Sequence, residues 1–176
     1  MNFKSFVRTY PQLGKYDNVL QAFQKTCENG DLELAKIIFY NFPDININCG
    51  MNGRKHAVPE YVFRWSCYNG HFEMAQWLKS ICPEIDHRSH GDFAFKHTSV
   101  NLTQLSQWIV SLYDITDANI LVDFCLLQYN IPMAKFIIEY FDIVELFVSD
   151  NMQSECDELI QEYQSKFQYV KSANKL

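Results

Sequence analysis

By type and spacing, the residues of this chain most able to do chemistry are Cys82, His87, His90 and His97. Thiolates and imidazoles at short intervals are what a zinc ion takes. Such a site needs four converging ligands, however, and no Cys-x-x-Cys pair stands anywhere in the sequence to complete one. The expectation is two solvent-exposed loop histidines, His87 and His90, beside a cysteine buried at a helix end, with no metal bound. Nucleophilic catalysis would need Ser or Cys held against a His, and no Gly-x-Ser-x-Gly elbow or equivalent is present. Gly50-Met51-Asn52-Gly53-Arg54-Lys55 contains glycines and a lysine but has neither the spacing nor the following Ser or Thr of a phosphate-binding loop. Glu33 and Glu73 fall in the first turns of helices, where a carboxylate favours the positive helix end. No catalytic residue, cofactor or metal is expected. What remains are basic and aromatic side chains suited to recognition: Arg54, Lys55 and His56, then Arg64, Trp65 and Tyr68, then His87, Arg88 and His90.

The elements that must position them repeat along the chain. Phe23, Cys27, Asn29, Gly30, Glu33 and Ala35 recur forty positions later as Phe63, Cys67, Asn69, Gly70, Glu73 and Ala75. Pro43-Asp44-Ile45 closes the first copy and Pro83-Glu84-Ile85 the second. Self-similarity at such a period is the mark of a stacked array. Within each copy, apolar residues at helical spacing stop at Asn-Gly, which closes one helix. Asp31 is then placed to cap the next, whose apolar side is Leu34, Ala35, Ile37, Ile38 and Phe39. Each copy is thus a helix-turn-helix that buries its apolar face only against its neighbours. A polar insertion at 49–56 accounts for the long first period. A third copy begins at Phe93-Ala94-Phe95 and has lost the turn glycine, while Leu105, Ser106, Gln107 and Trp108 match Met74, Ala75, Gln76 and Trp77. A fourth runs through Leu121 and Phe124, then Met133, Ala134, Lys135 and Phe136.

The predicted architecture is an all-α solenoid of about four helix-turn-helix repeats, the last two degenerate. It occupies residues 1–148 together with a short helix and turn at the N-terminus. Residues 149–176 form a final helix in the same domain, with Cys156, Leu159, Ile160, Tyr163 and Phe167 as the stripe that caps the array. A hydrophobic content of 48% is too high for a disordered chain. Six cysteines spread along the sequence, two of them on equivalent core positions, predict free thiols in a reducing compartment. A net charge of -6 argues against nucleic acid as a partner, and no apolar run reaches membrane-spanning length. The expected location is intracellular.

Asn69-Gly70-His71-Phe72-Glu73-Met74-Ala75-Gln76-Trp77-Leu78 resembles the central part of an ankyrin repeat, and Asn29-Gly30-Asp31-Leu32-Glu33-Leu34-Ala35 is similar. The form with Cys in the first helix, Ala-Gln-Trp-Leu in the second and Pro-Glu-Ile-Asp as the exit looks most like the ankyrin-like repeats of giant DNA viruses of amoebae. The resemblance covers 19–144. It departs from the family at the Thr-Pro-Leu-His opening, whose places hold Gln21-Ala22-Phe23-Gln24 and Tyr61-Val62-Phe63-Arg64. It implies a non-enzymatic module that binds another protein, viral or host, in the host cytoplasm. The alternative is a structural subunit of a virion or other large assembly.

In such an array the repeat exits lie side by side along one edge. Arg54, Lys55, His56, His87, Arg88 and His90 would then gather there and steer an acidic partner towards a protein of opposite net charge. The inner-helix residues Arg64, Trp65 and Tyr68 are the second expected surface.

Overall fold

A computed structural model describes residues 2–45, 60–101 and 103–143. Among the described residues the chain is all α, with nine α-helices, two short 3-10 turns and no strand. The insertion at 49–56, with Arg54, Lys55 and His56, and the expected final helix at 149–176 lie outside the described residues. The chain divides into two compact units, residues 1–98 and residues from Ser99 onward.

In the first unit, α1 (Phe3–Thr9) and a 3-10 turn (Pro11–Leu13) lead into α2 (Val19–Glu28), α3 (Leu32–Asn41), α4 (Tyr61–Tyr68), α5 (Phe72–Ile81) and α6 (Ser89–Thr98). α2 pairs with α3 and α4 with α5 as helical hairpins, while α4 also packs on α2 and on α6, so that α2, α4 and α6 stand in a row. The row follows from a buried stripe that the three helices share: Ala22, Phe23, Thr26 and Cys27; Val62, Phe63, Ser66 and Cys67; Ala94, Phe95 and Thr98. The hydroxyls in it are satisfied within their own helices, Thr26 on the Ala22 carbonyl, Ser66 on Val62 and Thr98 on Ala94. Phe23 and Phe63 are both fully buried, and truncating either to Ala would cost about 3–5 kcal/mol. At the chain start, α1 sets Phe6 edge-on against Phe42 at the end of α3, with ring centroids 5.1 Å apart. The lead-in thereby covers the first hairpin.

The second unit holds α7 (Gln104–Val110), a 3-10 turn (Ile115–Asp117), α8 (Ala118–Leu127) and α9 (Ile131–Tyr140). α8 and α9 pack as a hairpin around Leu121, Val122, Cys125, Leu126, Met133, Ala134, Ile137 and Ile138. α7 starts from a capping box in which Thr103 and Ser106 exchange side-chain and backbone hydrogen bonds.

The hairpin turns share one geometry. Gly30 N–H donates to the Cys27 carbonyl and Asp31 N–H to Thr26; Gly70 donates to Cys67 and His71 to Ser66. Both glycines have positive φ, 75° and 78°, as the Asn-Gly pairs predict. In the second unit Tyr129 N–H donates to Leu126 and Asn130 N–H to Cys125, with Tyr129 at φ 55° in the glycine's place. The α5–α6 exit differs from the expected loop. His90, Gly91 and Asp92 all take left-handed backbone, at φ 63°, 67° and 60°, and Asp92 N–H closes back onto the Arg88 carbonyl before α6 continues right-handed.

Candidate interaction surface

With Val62, Phe63, Ser66 and Cys67 turned into the core, helical spacing leaves Tyr61, Trp65 and Tyr68 along a second stripe of α4, and Phe93 and His97 fall one turn apart on α6. Packing α4 on α6 brings these five rings into one cluster. Trp65 lies 6.0 Å from Tyr61, 5.0 Å from Tyr68 and 6.0 Å from Phe93, while His97 lies 4.1 Å from Phe93 and 5.1 Å from Tyr68, all between centroids. The cluster grades from core to solvent: Tyr61 is buried, Trp65 and Phe93 are half-buried, and Tyr68 and His97 are exposed.

Its inner edge is anchored by polar contacts. The Tyr61 hydroxyl donates to Glu28 Oε1 at 2.5 Å, and Glu28 also pairs with Lys25 at 2.6 Å. Burial first, then that hydrogen bond to a carboxylate, push the Tyr61 phenol upward, so it stays a neutral donor. Arg64 sits with its guanidinium 5.0 Å from the centre of the Phe93 ring. It is 3% exposed, which corrects the expectation that it belongs to the recognition surface. Gln24, at the equivalent place in α2, is buried as well, whereas Lys96, at that place in α6, is exposed. Burial lowers the Arg64 pKa and nearby Glu60 raises it; Glu60, itself buried, has its carboxyl pushed up mainly by desolvation.

Of the expected basic edge, Arg54, Lys55 and His56 lie outside the described residues, and the other three residues differ among themselves. His87 is half-buried rather than exposed, and its pKa is lowered first by desolvation and then by Lys79, outweighing Asp86. The correction has a plain cause: the chain turns inward at Ile85, which is 1% exposed, and carries His87 with it. Arg88 is exposed but lies 3.6 Å from the Asp92 carboxylate. His90 is exposed on the left-handed turn. Cys82 is buried at the end of α5 and His97 belongs to the aromatic cluster; among the described residues no three His, Cys, Asp or Glu side chains converge as a metal set. The thiols of Cys27, Cys67 and Cys125 are pushed up by burial, Cys125 to about 12, which keeps them protonated and unreactive.

Of the expected surface residues, Trp65 and Tyr68 are brought together. Phe93 and His97 join them as partners that sequence reasoning missed. The signal was in the repeat: Phe93 and His97 occupy in α6 the places that Tyr61 and Trp65 hold in α4, so a stack of inner helices must set them side by side. The same places in α2 hold Gln21 and Lys25, which is why the cluster ends there. No protein-family model, curated protein or solved structure matches this chain.

Proposed function

We propose that this chain is a non-enzymatic protein–protein interaction module of ankyrin-like design, and that it holds a viral or host partner on the α4–α6 face. The observation that carries this reading is the aromatic cluster. Trp and Tyr provide large contact area at small entropic cost and dominate interface energetics, and here Trp65, Tyr68, Phe93 and His97 stand partly in solvent on a row of packed, rigid helices. The array design draws support from the repeated buried stripe, the paired helices and the shared turn geometry. Recognition needs no reactive group, and the thiols of Cys27, Cys67 and Cys125 are buried beyond use.

The test is site-specific photo-crosslinking in the cells where the protein acts. A photoreactive phenylalanine analogue at Tyr68 should capture one defined partner, and the same analogue at Tyr40, which is 69% exposed on α3, should not. Trp65→Ala should abolish the capture. Equal capture at both positions, or none at Tyr68, overturns the assignment.

A further inference from the structure

Resting on that interaction surface, we infer that the α5–α6 exit is an acid-sensitive hinge: a proton taken up at His87 loosens residues 85–92, lets α6 part from α4 and so releases the partner. The ring of His87 is half-buried, and its Nε2 atom is shut off from water. An imidazolium carries N–H on both ring nitrogens, so the cation must place charge and a donor at that dry atom whichever tautomer the neutral ring adopts. The charged groups around it do not compensate. Lys79 of α5 and Arg88 of the exit oppose a positive ring, and Asp86 and Asp92 favour it. Both carboxylates have other tasks: Asp86 accepts the Arg88 N–H at 2.9 Å, and Asp92 lies 3.6 Å from the Arg88 side chain. At the start of α4, Glu60 and Arg64 act on each other, and Glu60 also feels Asp86 and Lys79. Burial first, then Lys79, therefore keep the proton affinity of His87 below that of an ordinary histidine.

The unfolded chain, with its ordinary imidazole, takes up the proton first. Stability held by neutral His87 is thus whole above the ordinary histidine pKa of about 6.5 and is lost as pH falls below it towards the folded value. Glu60 works in the opposite sense, since its carboxyl is pushed up by desolvation and its contribution grows as pH falls. The backbone decides where the loss is felt. His90, Gly91 and Asp92 are left-handed in succession, and the two that are not glycine adopt that backbone only under constraint. The bonds that impose it include the Lys79 ammonium on the Pro83 and Ile85 carbonyls at 2.7 Å each, Ser89 N–H on Asp86 at 3.1 Å and Asp92 N–H on Arg88 at 2.8 Å. His87 stands in the middle of that net, so a charge there breaks the constraint and lets the strained turn relax. Phe93 is the residue next to the turn, and it meets Trp65 at 6.0 Å and Tyr68 at 6.1 Å. Moving the turn pulls Phe93 off both rings, and the interaction surface loses its α6 half.

Hydrogen exchange of the full chain, taken from about pH 7.5 to about pH 5 and corrected for the intrinsic rate, is the test. Amides of 93–98 should lose protection several-fold, while those of α2 and α3 keep theirs. His87→Gln, which cannot take the proton, should hold protection at 93–98 across the range. His90→Asn, at the exposed histidine on the same turn, should behave as wild type. The titration of His87 itself, followed by proton NMR in the unaltered chain, should fall below the ordinary histidine range and track the loss, a readout that stands even if the Gln variant does not fold. Loss in the Gln variant equal to that in wild type, an ordinary or raised titration of His87, or loss spread evenly from α2 to α6 would overturn the inference. Photo-capture at Tyr68 at neutral pH separates this from the surface itself. Capture with protection unchanged by acid keeps the surface and removes the hinge, whereas acid loss at 93–98 without capture keeps the hinge and removes the surface.

Discussion

The turn at Gly70 and His71 in the first unit and the turn at Tyr129 and Asn130 in the second close through the same pair of backbone hydrogen bonds, yet they share no residue type. In the first, a glycine supplies the left-handed backbone, and His71 Nε2 donates to the Glu28 carbonyl at 2.9 Å, tying one hairpin to the helix of the hairpin before it. Asn69 adds a second bond to the same carbonyl at 3.0 Å. In the second, Tyr129 takes the left-handed place, and Asn130 Nδ2 donates to the carbonyls of Ser99 and Val100. Asn130 also accepts from Met133 N–H as the cap of α9, at 3.1 Å, the task Asp31 performs for α3. One asparagine does what Asp31 and His71 do separately. The second turn lacks the residues of the first but keeps the connection, because the unsatisfied groups at helix ends need partners whichever residue supplies them.

The sharpest break in that comparison should come at Gly30. A Cβ built there would lie 2.5 Å from His71 Nδ1, in addition to forcing an L-residue to φ 75°, and the ring cannot retreat without giving up the Glu28 carbonyl. At Gly70 a Cβ meets nothing within 4 Å, so the backbone conformation alone is penalised. Gly30→Ala should destabilise by about 2–3 kcal/mol and Gly70→Ala by about 1 kcal/mol in urea unfolding. His71→Ala in the Gly30→Ala background should recover part of the larger loss, a coupling that a double-mutant cycle measures. Equal costs at the two glycines would show that the His71 ring does not hold its place.

Next in size is Asn130. Replacement by Ala removes a cap and an inter-segment bridge together and should cost about 1.5–2 kcal/mol. Asn130→Asp separates the two tasks. Asp caps a helix as well as Asn does but has no N–H to give, and it would set a carboxylate against two carbonyl oxygens. It should therefore be no more stable than the Ala variant. An Asp variant close to wild type would reduce Asn130 to a cap and dissolve its likeness to His71.

How much of this was legible in the sequence follows from where the information sits. The paired helices, the cap at Asp31 and the left-handed Gly30 and Gly70 rest on local chemistry, and local chemistry can be read. Asn29-Gly30-Asp31 has few other uses. Thr103 caps through a reciprocal bond with Ser106, although the turn glycine of that copy is gone. The left-handed turn at His90 and Asp92 could not be read, since L-residues adopt that backbone at a cost that the surrounding structure offsets. Arg64 misled because a charged side chain suggests solvent. Its place is set by its neighbours: α4 packs on both α2 and α6, and the guanidinium lies against the Phe93 ring. Phe93 and His97 were missed for want of carrying the repeat register one helix further, from α4 to α6.

The smallest expected effect has the opposite sign and bears most directly on how the second turn differs from the first. Tyr129 is held at φ 55° while its side chain is 70% exposed, so the ring gains little from burial and the backbone bears the cost of left-handed geometry. Tyr129→Gly relieves that cost of about 1 kcal/mol, and the extra freedom of glycine in the unfolded chain takes part of it back. The net should be a gain of about 0.5 kcal/mol, read as a higher urea midpoint at unchanged slope. A glycine here gives the turn the form it has at Gly70, where a Cβ would meet nothing within 4 Å. A loss of stability instead would mean that the Tyr129 ring contributes contacts worth more than the strain. The second turn would then be a different solution to the same closure, not a weakened copy of the first.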